Sequence, residues 1–361
     1  MRKLLFLLYL TFASLSAWAQ NVLTGTVTDA LTGEVLPFVN IYYSASAGTK
    51  SPISGTYKIA KKKQKLTFSL LGYKTLVARP GHEAEEAVVT AKREKYSRKN
   101  NPAVELMKKV IAHKSLNDLR KHPFYSFDKY TRTTFALNEV TEKVFNEGSL
   151  KKFAFLKDHV ETSNETGTLL LPITVDEIVT QHIFRQTPRS EKTIVKGKRT
   201  EGLSELFATG DLFNTVVKDV FTDVNIYEDD VRLLQYPFIS PISSRSAISF
   251  YRYFLVDTVM VDSAKAIEVH FTPNNPQDFG FSGALWVALD SNFRVLNVDM
   301  GIPKRSDVNW VENMRISQSF RRLPSGEQIL EKDNMIVQLK IADFIQKAMV
   351  KRVTDYRRFT F

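Results

Sequence analysis

The chain has 361 residues, no cysteine and a formal net charge of +11 at pH 7. The lack of cysteine excludes disulfide bonds, thiol nucleophiles, cysteine-ligated metals and a lipid anchor on cysteine. The charge is concentrated, because residues 92–132 hold twelve Lys or Arg against four Asp or Glu. Such a run is typical of a solvated linker and helix surface, and the alternative is a patch for anionic lipids or acidic glycans.

Residues 1–19 have the pattern of an export signal. Arg2 and Lys3 precede an apolar run from Leu4 to Leu10, and a small-residue cleavage site ends at Ala19. We predict cleavage after Ala19. An uncleaved membrane anchor is the alternative, although the apolar run is shorter than the roughly 20 residues that span a bilayer. We therefore expect an exported protein of the periplasm or outer membrane, with no nucleic-acid partner.

Residues 20–80 have the pattern of a small all-β domain. Short apolar alternations, such as Leu66, Phe68 and Leu70, are separated by turn residues. The stretches GTVTDALTGEVLPFVNIYY, GTYKI and LTFSLLGYKT resemble the carboxypeptidase regulatory-like domain, which implies a transthyretin-like β-sandwich. The resemblance implies framework roles, and no catalytic ones, for Gly25, Asp29, Gly33, Pro37, Asn40, Gly55, Tyr57, Gly72 and Tyr73.

Residues 81–122 are predicted to form a basic linker followed by a helix. Asn101 is suited to the N-cap and Pro102 to the first helical position. Val104, Met107 and Ile111 then share one face, which predicts a helix packed on a larger body with its lysines in water.

Residues 123–361 are predicted to form an antiparallel β domain. Alternations such as Met335, Val337 and Leu339 favour strands with one buried face, and short turn segments favour hairpins. Between residues 203 and 221 the apolar spacing becomes helical. A curved meander with one or two packing helices is similar, at the level of the fold, to the half-barrel of lipoprotein-carrier proteins.

Four further stretches resemble a second, longer pattern: NNPAVELMKKVIAHK, LPITVDEI, FISPISSRSAISFYRYFLVDT and FSGALWVALDS. They resemble exported proteins of unknown function that carry an N-terminal carboxypeptidase regulatory-like domain. Members usually continue into an outer-membrane β-barrel, whereas this sequence ends at Phe361. The β domain is therefore either free-standing or the front of a missing barrel, and we expect outer-membrane association only if a barrel follows.

Motifs for catalysis, cofactors or metals are not recognisable in the sequence, and we predict no cofactor. A zinc site built from His82, Glu85 and His182 is rejected, because the first two fall in the predicted linker. The acidic run Glu228 to Asp230 favours a solvated turn over a calcium site. His270 shares a strand face with Glu268 and is predicted to lie at the surface or rim.

Aromatic residues crowd two predicted strands, and we single out Tyr251, Tyr253, Phe281 and Trp286. Core packing is the default interpretation, and the lining of a ligand groove is the alternative. The leading hypothesis is a non-catalytic envelope protein that interacts with an envelope protein, lipid or glycan. An envelope hydrolase whose carboxylates meet only on folding, and a fragment of an outer-membrane receptor or transporter, are the alternatives.

Overall fold

A computed structural model of the chain describes residues 22–30, 33, 35–36, 38–44, 47–51, 55–70, 72–78, 87–91, 95–147, 150–163, 168–202, 222–233, 236–275, 278–302, 311–340 and 347–361. The predicted signal peptide and the predicted helix at residues 203–221 lie outside them. The chain divides into two compact units, Met1–Tyr96 and Ser97–Phe361.

The first unit contains two small sheets. Its strands are β1 (Val22–Asp29), β2 (Asn40–Ser44), β3 (Ala47–Lys50), β4 (Thr56–Ala60), β5 (Leu66–Ser69), β6 (Leu76–Ala78) and β7 (Ala87–Ala91). One sheet has the order β4-β1-β7 and the other β3-β2-β5-β6. Buried residues from both sheets, among them Val27 and Ile41, form one apolar cluster. The predicted sandwich is therefore confirmed.

Two local features explain how the sandwich is held at its turns. The Tyr73 hydroxyl donates a 2.7 Å hydrogen bond to Asp29 Oδ2, which joins two of the predicted framework positions. Gly55 has φ of +69°, and a Cβ there would lie 2.7 Å from Cβ of Val35. Strand β7 lies within the segment predicted as linker and pairs in parallel with β1, so the first unit extends past residue 80.

The second unit is dominated by long strands. Its helices are α1 (Pro102–His113), α2 (Glu142–Asn146) and α3 (Ala247–Phe250), with 3-10 segments at Lys114–Leu116, Leu119–Lys121 and Lys151–His159. Its strands are β8 (Phe124–Asn138), β9 (Glu161–Thr162), β10 (Leu169–Arg185), β11 (Ser190–Gly202), β12 (Asp230–Leu233), β13 (Tyr236–Ile239), β14 (Tyr251–Val261), β15 (Ala264–Pro273), β16 (Ser282–Ala288), β17 (Val295–Ile302), β18 (Val311–Arg322), β19 (Gln328–Leu339) and β20 (Lys347–Thr360).

All but two of these strands form one antiparallel sheet. Its order is β11-β10-β8-β20-β19-β18-β17-β16-β15-β14, with β9 beside β10, and β12 and β13 pair with each other. From β14 to β20 each strand pairs with the next, which is the predicted meander. The last strand, β20, then pairs with β8, so the C-terminal strand lies beside the first long strand of the unit.

Helix α1 begins as the sequence predicts. The Asn101 side chain accepts hydrogen bonds from the backbone N–H of Ala103 and Val104, and Pro102 is the first helical residue. The helix packs along β14 and buries Ala103, Val104, Leu106, Met107 and Val110. In the part of the chain described, no helix is both long and apolar enough to cross a membrane.

Residues 222–233 and 236–242 pack against one face of the large sheet, which we call the inner face. The Tyr253 hydroxyl donates to the Pro241 carbonyl, and Gln318 Nε2 donates to the Val224 carbonyl. Residues directly opposite one another in antiparallel strands lie on the same face of the sheet. The register of the strands therefore places Tyr253, Phe271 and Arg352 on the inner face. This face contains most of the buried core and also the buried pair Asp333 and Arg352.

Candidate binding surface

Charged and amide side chains meet on the inner face where β8, β18, β19 and β20 adjoin. Arg352 Nη2 donates a 2.7 Å hydrogen bond to Asp333 Oδ2, and the side chains of both residues are at most 3% exposed. Gln318 Nε2 donates to the other Asp333 oxygen at 3.1 Å. Lys129 Nζ lies 2.6 Å from Asp223 Oδ1. We call these five residues, Lys129, Asp223, Gln318, Asp333 and Arg352, the charged cluster.

The electrostatics of the charged cluster follow from burial and pairing. Burial raises the pKa of Asp333, although Arg352 and Gln318 oppose this effect. At Asp223 burial also acts to raise the pKa, but Lys129 and Arg352 outweigh it and the pKa is lowered. The oxygen atoms Gln318 Oε1 and Thr354 Oγ1 are buried here without a hydrogen-bond partner in the described residues. Buried polar atoms of this kind are rare in folded proteins.

Aromatic rings continue the inner face beside the charged cluster. Phe127 is central, since its ring centroid lies 5.1 to 5.5 Å from those of His182, Tyr356 and Phe359. Further ring pairs extend this group at both ends. We call the rings the aromatic cluster, and its members are His122, Tyr125, Phe127, His182, Phe184, Tyr356, Phe359 and Phe361.

The aromatic cluster is only partly covered. Phe127, His182 and Phe359 are half-buried, and Phe361 is 39% exposed. The two clusters adjoin, because Lys129 Nζ lies 5.9 Å from the centroid of the Tyr356 ring. Burial raises the pKa of Tyr356 well above its ordinary value, so its hydroxyl is neutral at physiological pH.

His182 connects the aromatic cluster to the edge of the sheet. Its Nε2 lies 2.9 Å from Thr180 Oγ1 and its Nδ1 lies 3.2 Å from Thr193 Oγ1. Burial lowers the pKa of His182, and the nearby Lys129 ammonium lowers it further. The imidazole is therefore neutral near pH 7 and presents an uncharged ring to the surface.

The aromatic residues singled out from the sequence lie elsewhere. Tyr251, Tyr253 and Phe281 have no exposed surface. The Tyr251 hydroxyl donates to the Ile239 carbonyl. Trp286 is half-buried and shares the opposite face with Glu268, its register partner. The structure thus places three of the four in the core, and their role in a ligand groove remains an untested prediction.

Other candidate residues are engaged in internal contacts. The prediction of a surface or rim position for His270 is wrong, because it is 8% exposed and its Nε2 lies 2.7 Å from Glu268 Oε1. The acidic run is paired with cations: Glu228 with Arg120, and Asp229 with Lys114. Among the described residues, no group of three or more His, Asp or Glu side chains is arranged to hold a metal ion.

Much of the basic run at residues 92–132 is likewise used within the protein. Besides the ion pairs of Lys114 and Arg120, Arg98 donates to the carbonyl groups of Ile248 and Ser249. Lys108 pairs with Glu105 on α1. This part of the chain therefore presents less unpaired positive charge than its composition indicates.

The aromatic cluster was not predicted, but the sequence contains a trace of it. Tyr125 and Phe127 are two residues apart, as are Phe359 and Phe361, and in a strand this spacing places both rings on one face. Recognising the cluster also requires the pairing of β20 with β8, which joins segments more than 200 residues apart.

Comparison with known proteins gives matches to two families and to solved structures. A crystal structure of a DUF1329 family protein from Desulfovibrio piger has a TM-score of 0.28 and 10% identity, and the match covers 73% of this chain and 94% of that one. A LolA superfamily protein from Nitrosomonas europaea has a TM-score of 0.23 and 10% identity, covering 72% and 93%. The MucA/MucB complex of Pseudomonas aeruginosa has a TM-score of 0.19 and 12% identity, covering 70% and 93%.

No curated protein matches the chain. Residues 23–101 match the CarboxypepD_reg-like domain, in agreement with the sandwich of the first unit. Residues 106–358, well over half of the chain, match a second family. The protein therefore belongs to the family of unknown function DUF5686 and carries a CarboxypepD_reg-like domain in front of it.

Proposed function

We propose that this chain is a non-catalytic binding protein of the cell envelope, and that the inner face of its large sheet holds an amphipathic envelope lipid. The observation that supports the proposal is the partly exposed aromatic cluster directly beside the charged cluster. Apolar surface left partly open is a common feature of ligand sites, especially where a few polar groups converge on it.

The two clusters suit the two parts of an amphipathic ligand. An acyl chain would pack on the rings of Phe127, Phe359 and Phe361, where burial of apolar surface favours binding. The polar head group would lie near Lys129 and Asp223. Because His182 and the hydroxyl of Tyr356 are uncharged near pH 7, the ring surface imposes little desolvation cost on an apolar ligand.

The test is binding of a fluorescent C16 fatty acid to the purified protein. We expect F127A/F359A to weaken binding by about tenfold or more, since each lost ring contact removes about 1 kcal/mol or more of apolar burial. Phe279, which is 50% exposed and lies outside the cluster, provides the matched control F279A with unchanged affinity. Equal binding by F127A/F359A and the wild type would refute the proposal, and selective binding of an envelope oligosaccharide would favour a glycan site.

The proposal of a non-catalytic role rests on the pairing of the two nearest carboxylates. Asp333 is 1% exposed and bound by Arg352, and Asp223 is bound by Lys129. Neither is arranged as a free acid or base near a substrate. We expect no release of products from labelled envelope glycans or peptides. Hydrolysis that is lost in D223N would instead support the hydrolase alternative.

Location in the envelope is part of the proposal and rests on the export pattern of residues 1–19. Fractionation of cells that express the gene, followed by N-terminal sequencing, tests it. We expect the product in the periplasm or outer membrane with Gln20 as its first residue. A cytoplasmic product that retains Met1 would contradict it.

A further inference from the structure

We propose that the outer edge of β11 is a docking site for an acidic, extended segment of another polypeptide, which joins the large sheet as an additional strand. This site is distinct from the aromatic and charged clusters and does not depend on the lipid proposal. It uses backbone hydrogen bonds for affinity and lysine side chains for selectivity.

Among the described residues, nothing pairs with the outer edge of strand β11. All of its residues, Ser190–Gly202, are exposed. Within the described part of the chain it pairs with β10 and with no other strand. In an antiparallel ladder every second residue directs its N–H and C=O away from its partner strand, so β11 presents a row of such groups to solvent. A free edge of this kind is the surface on which extended peptides add to a sheet.

The charge of this edge selects the partner. Residues 185–202 hold six Lys or Arg against two Asp or Glu. Both glutamates already pair with neighbouring arginines, Arg189 with Glu191 and Arg199 with Glu201. Lys192 and Lys198 have no ion pair among the described residues. An added strand that carries Asp or Glu opposite these lysines gains cross-strand attraction.

The two lysines also define how an added strand would lie. Lys192 is opposite Ile183 and Lys198 is opposite Ile178. Because Ile183 and Ile178 are an odd number of residues apart along β10, the two lysines are on opposite faces of the sheet. An added strand therefore needs acidic side chains on both of its faces. Its backbone makes the same kind of hydrogen bond to β11 near Lys192 and near Lys198.

The same charge opposes a second copy of this chain as the occupant. Two β11 strands paired edge to edge would bring lysines together, and like charges opposite one another destabilise a sheet. The other end of the sheet is a poorer site, because β14 buries Tyr251 and Tyr253 completely and has α1 packed along it. The open, basic edge at β11 therefore fits an acidic segment from a different protein.

The experiment uses the full chain and a 13-residue peptide of Glu, Thr and Val in which the Glu residues lie on both faces of the extended strand. We expect binding that protects amide protons of residues 190–202 from exchange and that weakens with salt. The variant K192E/K198E is expected to bind about tenfold or more weakly, because two attractions become repulsions. The matched control K151E/K152E changes two exposed lysines elsewhere and should bind as the wild type does. If K192E/K198E fails to fold, K192Q/K198Q replaces it.

A second peptide separates strand addition from general charge attraction. It has the same sequence with N-methyl groups on alternate residues along one edge, which removes the backbone donors there. We expect this peptide to lose binding if its methylated edge faces β11. In a register-shifted counterpart the N-methyl groups are moved by one residue, so that they lie along the opposite edge. The proposal is overturned if the methylated peptide and its register-shifted counterpart both bind like the parent, if protection appears away from residues 190–202, or if K151E/K152E weakens binding as much as K192E/K198E.

Discussion

Burying charge inside a β-sheet costs free energy unless each charge has a close partner of opposite sign. In the second unit, Asp333 and Arg352 are almost completely buried and directly paired, with Gln318 donating to the same carboxylate. The Gln318 side chain also reaches the backbone at Val224. These contacts link the sheet to the segment that crosses its inner face, so the buried pair orders the region beside the aromatic cluster.

Removal of one partner from this buried pair should be costly. We expect R352L to lower the free energy of unfolding by about 3–5 kcal/mol, because Asp333 is left as an unpaired buried charge. The double variant D333L/R352L should recover much of that loss. R357L, which removes the exposed partner of half-buried Asp355, should cost at most about 1 kcal/mol. Urea unfolding measures all three, and a loss for R352L no larger than for R357L would contradict the prediction.

Asp229 should contribute an acid-sensitive part of the stability. Burial acts to raise its pKa, but hydrogen bonds from Lys114 and Ser244 outweigh it and lower the pKa to about 2. A carboxylate with a lower pKa in the folded than in the unfolded state stabilises the fold above its unfolded pKa, and this stability is lost as pH falls toward the folded value.

Comparison of the wild type with D229N tests this pH dependence. We expect the wild type to be more stable by about 1–2 kcal/mol above pH 5, and the difference to shrink as pH falls from about 4 to about 2. Urea unfolding across this range provides the measurement. A difference that stays constant down to pH 2 would show that Asp229 ionisation is not linked to folding.

Individual residues were predictable where the physical cause is local. The cap at Asn101 and the buried positions of Val104 and Met107 follow from spacing along a few turns of helix. The burial of His270 was not predictable in this way, because alternation assigns a face to a residue without saying whether that face is covered. The same limit applies to Arg352 and Asp333, whose charges indicate exposure until the strand pairing is known.

At the scale of elements, α1 offers a direct test of local sequence information. We expect N101A to cost about 1 kcal/mol of unfolding free energy, because the backbone N–H groups of Ala103 and Val104 lose their acceptor. N101D retains an acceptor oxygen at the helix N-terminus and should lower the unfolding free energy by only about a few tenths of 1 kcal/mol. Thermal unfolding of the three proteins measures the effect, and equal losses for both variants would argue against capping as the cause.

Strand positions were easier to predict than strand partners. Alternating apolar residues indicated β19, and turn residues indicated the hairpin between β18 and β19. The pairing of β20 with β8 joins segments that are far apart in the chain. The apolar alternation of one strand does not indicate which other strand it pairs with. Since the aromatic cluster depends on that pairing, the candidate site could not be predicted even though its strands could.

At the scale of the whole molecule, the two units have separate cores. The first is built around the cluster that contains Ile41, and the second around the inner face of the long sheet. Large-to-small substitutions in a close-packed core cost about 2–5 kcal/mol. Substitutions at distant sites without shared contacts have independent effects. A core substitution in one unit should therefore destabilise that unit and leave the stability of the other unchanged.

Reciprocal core substitutions test this independence. Ile41 is fully buried in the first unit and Met335 is 1% exposed in the second. We expect I41A to accelerate amide exchange across residues 22–78 by at least about tenfold, since it removes about 2–5 kcal/mol, while exchange in residues 97–361 stays unchanged. M335A should accelerate amide exchange in residues 97–361 and leave exchange in residues 22–78 unchanged. Acceleration of both units by either variant would mean that they unfold as one cooperative body, so that the sandwich contributes to the stability of the second unit.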